Sequence, residues 1–212
     1  MGYRVVCCLC FCWLLSGCAQ AGDADDARTL IVRGTLSAVS PGALQLRERH
    51  GGELALRLTP ATRLFGVFSA SLDDIRPGAF LGAAALPLAD GTLEAQTLHL
   101  FSDRLRGAGE GHTPWRLVNG EQGSMTNGTV DVGGTWRGDG DVAGQPLVLR
   151  YGGGTQQIRV GLQTPVVFVD SLTRGALRPG QAAVLILTAR DGRATAEVQR
   201  AFIGINGAIP PF

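Results

Sequence analysis

The chain has 212 residues, with 19 basic and 18 acidic side chains, and every basic residue is an arginine. This near-neutral balance argues against electrostatic attraction to nucleic acid or to anionic lipid. Glycine is frequent, at 31 residues, and aromatic side chains make up only 6% of the chain, which favours short strands joined by tight turns.

The N-terminus has the layout of a bacterial export signal. Arg4 is its only charge, and an apolar run follows over residues 5–15. That run is too short to cross a bilayer, which needs about 20 apolar residues, but it is typical of a cleaved signal. Small residues precede the expected cleavage point, so we predict a signal peptide over residues 1–17, cut between Gly17 and Cys18.

The end of this segment, Leu-Ser-Gly-Cys, resembles the lipobox of bacterial lipoproteins, in which the cysteine thiol carries lipid. All five cysteines lie at or before Cys18, so the processed chain would keep one thiol, and acylation would remove its reactivity. The resemblance implies a membrane anchor at Cys18 and a flexible tether over residues 18–30. An aspartate directly after the cysteine would signal retention at the inner membrane. Ala19 occupies that position instead, which favours delivery of the protein to the outer membrane. The alternatives are an ordinary secretory signal, or a metal site among the clustered cysteines.

Alternating apolar residues predict a first β module over residues 31–105. Leu44 and Leu46 share one face of a strand, and a turn follows at residues 50–52. A single helical turn capped by Ser71 precedes a hairpin whose Asp-Gly turn lies at residues 90–91. The predicted strands cover residues 31–39, 43–49, 54–58, 63–68, 79–88 and 92–100.

The same order of elements recurs over residues 126–212, which predicts a second β module. The Arg-Pro-Gly triplet at 76–78 returns at 178–180, an offset of 102, and Thr62 and Thr164 have the same offset. An Asp-Gly pair returns at an offset of 101. These repeats indicate a tandem duplication with a glycine-rich connector between the copies. The predicted strands cover residues 126–136, 146–151, 155–160, 165–169, 181–188 and 193–203.

The predicted fold class is therefore all-β, with two tandem OB-like small β-barrel modules after the signal peptide. About five strands per module, with a helical turn before the closing hairpin, suit an OB-like barrel. Barrel closure would also remove exposed strand edges. A β-sandwich formed by the combined halves is the alternative.

The connector, residues 106–125, holds most of the side chains that could bind a metal. Histidine, methionine and carboxylate are donors for copper or zinc. The candidate ligands are His99, Glu110, His112 and Met125. They lack the regular spacing of a metal motif, so the alternative is a packed connector, with Trp115 covering a barrel end and His112 hydrogen-bonded to backbone.

No motif of a known catalytic site occurs in the sequence, and the strands that would bind bases in an OB fold offer only Tyr151 as an aromatic. The sequence therefore predicts neither an enzyme nor a nucleic-acid-binding protein, and no cofactor.

A family resemblance rests on three segments: the run Arg-Gly-Ala-Gly-Glu-Gly-His-Thr-Pro-Trp at 106–115, the Ser-Met-Thr-Asn at 124–127, and the Ser-Leu-x-x-Ile-Arg-Pro-Gly pattern at 71–78. They resemble a group of uncharacterised proteobacterial exported proteins that share an OB-like domain of unknown function, and the resemblance extends from about residue 31 to the Pro-Pro end. Some members are labelled "metal ABC transporter permease". That label conflicts with this sequence, because a permease needs several membrane-spanning helices.

We therefore expect a non-enzymatic lipoprotein facing the periplasm, which serves as a binding or assembly component of the envelope. Its expected partners are the membrane, through lipid on Cys18, and an unknown envelope protein. A periplasmic accessory protein that handles copper or zinc is the alternative.

Overall fold

A computed structural model describes residues 28–49, 51–117, 120–132, 146–189 and 196–212. The predicted signal peptide, Gly17, Cys18 and most of the tether lie outside the described residues. Within those ranges, no helix has both the length and the apolar character needed to cross a membrane.

The described residues form an all-β structure, as predicted. Burial alternates along the strands as the sequence pattern requires: in the second strand, Leu44 and Leu46 are buried, whereas Gln45 and Arg47 are exposed. Three short 3₁₀ turns accompany the strands, at Leu72–Asp74, Asp103–Leu105 and Arg174–Ala176. The strands are β1 (Arg28–Ser40), β2 (Ala43–Glu48), β3 (Glu53–Ala70), β4 (Phe80–Pro87), β5 (Leu93–Phe101), β6 (Gly111–Arg116), β7 (Gln122–Val132), β8 (Leu147–Tyr151), β9 (Gly154–Arg159), β10 (Val166–Ser171), β11 (Ala182–Ala189) and β12 (Ala196–Gly204).

Five strands close into a first barrel, called barrel A. The closed order is β1-β2-β3-β12-β11, and β11 pairs back onto β1. All neighbours are antiparallel except β12 and β3, which are parallel. Its core is almost entirely aliphatic. The largest fully buried side chains in it are Leu36, Leu44, Leu46, Leu185, Leu187 and Ile203.

A second barrel, called barrel B, has the same arrangement. The closed order is β7-β8-β9-β5-β4, and the parallel contact between β9 and β5 joins Ile158 to Leu93. Strand β4 then pairs with β7 to complete the ring. This order, with one parallel contact, is that of an OB barrel, so the OB-like prediction is confirmed.

The barrels exchange their closing hairpins. Barrel A takes β1–β3 from the first half of the sequence and β11–β12 from the second, and barrel B takes β7–β9 and β4–β5. The predicted modules, residues 31–105 and 126–212, therefore each contribute to both barrels instead of closing separately. The physical reason is that β3 continues beyond barrel A as far as Ala70 and carries the following hairpin to the other barrel.

Each exchanged hairpin is held by the same pair of backbone hydrogen bonds. In barrel A, Leu36 N–H donates to Gln181 O (2.9 Å) and Gly180 N–H to Leu36 O (2.8 Å). In barrel B, Val130 exchanges two 2.8 Å bonds with Gly78 and Ala79. Both glycines have positive φ, +83° and +90°, so the repeated Arg-Pro-Gly triplet is the docking turn of the hairpin.

A two-stranded ribbon joins the barrels. The end of β3, Phe65–Ala70, pairs antiparallel with β10, and β10 pairs parallel with β5. Val67 lies opposite Val169 at the middle of this central ribbon. One face of the ribbon is covered by a third apolar cluster, in which the rings of Phe202 and Phe212 lie 4.3 Å apart.

The connector contains regular structure that the sequence did not predict. Strand β6 lies inside residues 106–125 and, among the described strands, pairs only with β7, which itself begins within the connector. Pro114 suits this position, because an edge strand tolerates a residue without a backbone donor.

Candidate functional site

The other face of the central ribbon forms the floor of an open groove between the two barrels. Side chains alternate along a strand, so Val67 and Val169 point to the covered face and Phe68 and Phe168 to the opposite one. The space above them has a volume of about 480 Å³ and is called the inter-barrel groove. Its lining residues are Phe68, Ser69, Ala70, Asp74, Leu100, Phe168 and Asp170.

Two phenylalanines dominate the floor of the groove. Phe68 and Phe168 lie directly opposite each other on β3 and β10, with ring centroids 6.1 Å apart and planes inclined by 51°. Gly66 makes room for this arrangement, because a Cβ there would lie 3.0 Å from Phe68 Cε2. Both rings are only partly buried, so the groove presents aromatic surface to solvent.

Asp74 provides one carboxylate of the groove. It ends the first 3₁₀ turn, where its Oδ2 accepts hydrogen bonds from Ser71 N–H (2.8 Å) and Ser71 Oγ (3.0 Å). These bonds, the backbone one first, lower the pKa of Asp74 below its usual value. The side chain is therefore held in place and ionised at neutral pH.

Asp170 on β10 provides the second carboxylate. Its Oδ1 accepts from Ser102 Oγ (2.5 Å) and from Ser171 N–H (2.7 Å). The hydrogen bond from Ser102 is the largest cause that lowers the pKa of Asp170, and Arg104 adds a smaller electrostatic effect. Ser102 directly follows β5, so the carboxylate also connects β10 to the end of β5.

The guanidinium of Arg76, which makes a small contribution to the lowered pKa of Asp74, is hydrogen-bonded to backbone. Arg76 donates to the backbone carbonyls of Asp73 and Ile75, the latter at 3.2 Å. None of the described residues that line the groove is basic. The groove thus combines an aromatic and aliphatic floor with two negative charges.

Among the predicted metal ligands, His99 is a buried residue of β5. It is 2% exposed, its Nε2 lies 3.1 Å from Thr97 Oγ1, and its ring centroid lies 4.4 Å from that of Phe212. Burial lowers the pKa of His99 to about 3, so the imidazole is neutral. Its role in the described structure is packing beneath the C-terminal residues.

The other three candidate ligands have separate partners. His112 Nδ1 lies 2.8 Å from the hydroxyl of Thr126, not from a backbone atom as the alternative predicted. Met125 is buried and pairs with Thr113, so it points to the opposite face of the β6–β7 pair from His112. Glu110 accepts a 3.0 Å hydrogen bond from Gly152 N–H.

The structure does not bring the four candidate ligands together. Within the described ranges, no group of three or more histidine, cysteine, aspartate and glutamate side chains is arranged to hold a metal ion. The copper or zinc site therefore stays a prediction without a supporting geometry.

The residues in and next to the connector that carry the family resemblance, 106–115 and 124–127, instead pack against each other and against barrel B. Asn127 Nδ2 donates to the carbonyls of Ala108 (3.3 Å) and Gly109 (3.1 Å). Trp115 lines a small cavity of about 170 Å³ together with Leu117 and Phe212. These contacts give the motif a structural role.

Sequence reasoning missed the residues of the groove. The sequence pattern places Phe68 and Phe168 on predicted strands but gives neither of them a role, and it does not single out Asp170. A usable signal was present, because both phenylalanines alternate with buried valines and therefore point away from the covered face. What the sequence did not show is that these two strands pair with each other.

Comparison with known proteins gives no match, whether to a family model, to a curated protein or to a solved structure. The resemblance to the exported lipoprotein family stays a prediction.

Proposed function

We propose that the chain is a lipid-anchored, non-enzymatic binding protein of the bacterial cell envelope, which presents the inter-barrel groove to a ligand in the periplasm. The observation that carries the proposal is the partly exposed pair of Phe68 and Phe168 in a groove of about 480 Å³. Ligand sites are concave, largely apolar and furnished with a few polar groups, and their usual volumes are about 300–1,000 Å³.

Binding fits the side chains of the groove better than catalysis does. Asp74 and Asp170 each accept hydrogen bonds from serine, and these bonds lower the pKa of both carboxyls. A general acid or base works best with a pKa near the operating pH, and these carboxyls are shifted away from it. The described residues that line the groove supply neither histidine nor cysteine.

The anchor is proposed from the sequence. The apolar run before Leu-Ser-Gly-Cys is that of a signal peptide, and lipid on Cys18 would tie the barrels to a membrane. Each buried methylene contributes about 0.8 kcal/mol, so the two or three chains of a lipoprotein give stable attachment where one is marginal. The missing aspartate after Cys18 favours the outer membrane.

Photocrosslinking in intact cells tests the binding role. A benzophenone amino acid is placed at Ala70, which lines the groove and lies on the same face of β3 as Phe68, and at Thr155, which is exposed on β9, as the control. We expect an adduct of defined mass at Ala70 that is absent at Thr155 and is lost when Phe168→Ala is added. Equal labelling at the two positions, or no adduct at Ala70, would contradict the binding role.

A further inference from the structure

The inter-barrel groove has the chemistry to recognise an organic cation. We propose that it binds an ammonium or guanidinium group carried on an apolar body. This inference rests on the proposed function, since it names the class of ligand that the groove would take.

The aromatic floor supplies the first part of the recognition. A cation is attracted to the face of an aromatic ring when it lies within about 6 Å of the ring centroid. The rings of Phe68 and Phe168 are 6.1 Å apart, so a cation placed between and above them lies within that range of both. Their partial exposure leaves the rings accessible.

The two carboxylates supply the second part. Asp74 and Asp170 give the groove a charge of opposite sign to the ligand, and its lining, in the part of the chain that the structure describes, contains no basic side chain. The serine contacts use Oδ2 of Asp74 and Oδ1 of Asp170, so the geometry fixes each carboxylate through one oxygen. Arg104 is close enough to Asp170 to affect its pKa, but it is not part of the lining.

The size of the groove favours an organic over an inorganic cation. A water molecule occupies about 30 Å³, so a bare metal ion would leave most of the 480 Å³ unfilled. Ala70, Leu100 and the two rings offer apolar surface that such an ion does not use. An alkyl or aryl body attached to the cation would cover that surface.

Calorimetric titration of the full-length protein in detergent tests the inference. The probes are phenethylammonium, which represents a free amine, N-acetylarginine amide, which represents a peptide side chain, and the uncharged 2-phenylethanol. We expect at least one cation to bind about tenfold or more tightly than the alcohol, and the tighter cation identifies the source.

Two variants locate the binding. Phe168→Leu keeps the apolar volume but removes the ring, and Asp170→Asn keeps an acceptor for Ser102 and Ser171 but removes the charge. Each should weaken the cation about tenfold. Asp90→Asn is the control, because Asp90 accepts hydrogen bonds from Thr92 N–H and Oγ in the way that Asp74 accepts them from Ser71, but it lies outside the groove. It should leave the affinity unchanged.

The inference is overturned if neither cation binds more tightly than 2-phenylethanol, or if Asp170→Asn has no more effect than Asp90→Asn. An adduct at Ala70 in cells together with either result would leave the binding role intact and remove only the cation. If no adduct forms at Ala70 in cells, the binding role itself is contradicted.

Discussion

Buried on β5 against the ring of Phe212, His99 is neutral because burial lowers its pKa to about 3 from 6.5. A histidine in a strand of alternating residues is ambiguous in the sequence, since the same residue serves as a ligand, a surface group or a packed ring. Here its Nε2 lies 3.1 Å from the hydroxyl of Thr97, which provides the hydrogen-bond partner that a buried imidazole requires.

This burial predicts a pH dependence of stability. The unfolded chain binds a proton at His99 below pH 6.5, whereas the folded chain does not until about pH 3, so stability is full above pH 6.5 and falls as the pH decreases towards 3. Between pH 7 and pH 5 the expected loss is about 2 kcal/mol, at 1.36 kcal/mol per unit below 6.5. Urea unfolding at both pH values measures it.

The matched variants for that measurement are His99→Gln and His112→Gln. Glutamine at 99 keeps a polar group beside Thr97 but cannot titrate, so the difference between pH 7 and pH 5 should shrink. His112 is exposed on β6, and its replacement should leave the difference in place. An unchanged difference in His99→Gln would show that another group causes it.

At the scale of elements, most strands can be predicted from the sequence, because apolar and polar residues alternate along them with period 2. Strand β6 is an exception. Its glycine and proline do not favour a strand, and its pairing comes from the neighbouring β7. The prediction also divided β3 in two at Pro60. In the structure the register between β3 and β12 shifts at this point, because Leu58 pairs with Val198 and Arg63 with Arg200. Thr62 Oγ spans the shift, since it accepts from Thr59 N–H (2.9 Å) and donates to Val198 O (2.7 Å).

The hairpin exchange lay beyond what local patterns can show. Each half of the chain supplies three strands and a hairpin, and the order of elements along the sequence is the same whether the hairpin closes its own barrel or the other one. The groove depends on which barrel each hairpin closes, because it forms where β3 of one half pairs with β10 of the other. Only long-range pairing fixes it, which is why Phe68 and Phe168 could be placed on strands but not together.

Paired cysteines test the exchange. Thr29 on β1 lies directly opposite Thr188 on β11, and opposed residues of antiparallel strands have Cα atoms about 4.5–5.5 Å apart, which a disulfide can bridge. Thr29→Cys with Thr188→Cys should therefore form an intramolecular disulfide, detected by intact mass and thiol alkylation. The control pair is Thr29→Cys with Leu86→Cys.

Leu86 precedes Thr188 by the repeat offset of 102 and would face Thr29 if each half closed its own barrel. In the structure Leu86 pairs with Glu94 inside barrel B, so the control pair should stay reduced. A disulfide in the control pair and none in the first would contradict the exchanged arrangement.

At the scale of the whole molecule, the central ribbon connects the two closed barrels. The apolar cluster around Val67, Val167 and Val169 packs against one face of that ribbon. Among the described strands, closure leaves little free edge, which limits edge-to-edge pairing with other chains. The ribbon face opposite that cluster remains open as the groove. The proposed role of the protein follows from this division, with the barrels as a rigid frame, the groove as the binding surface and Cys18 as the attachment to the membrane.

Metabolic labelling of growing cells with an alkyne fatty acid tests most directly the claim that this protein works from a membrane through lipid on Cys18. The wild-type chain should carry the label, and Cys18→Ser should lose it completely. Cys12→Ser, which changes a cysteine within the predicted signal peptide, should keep it. An unlabelled wild-type chain, or a Cys18→Ser chain labelled as strongly as the wild type, would contradict the lipid anchor and with it the proposed place of the protein in the envelope.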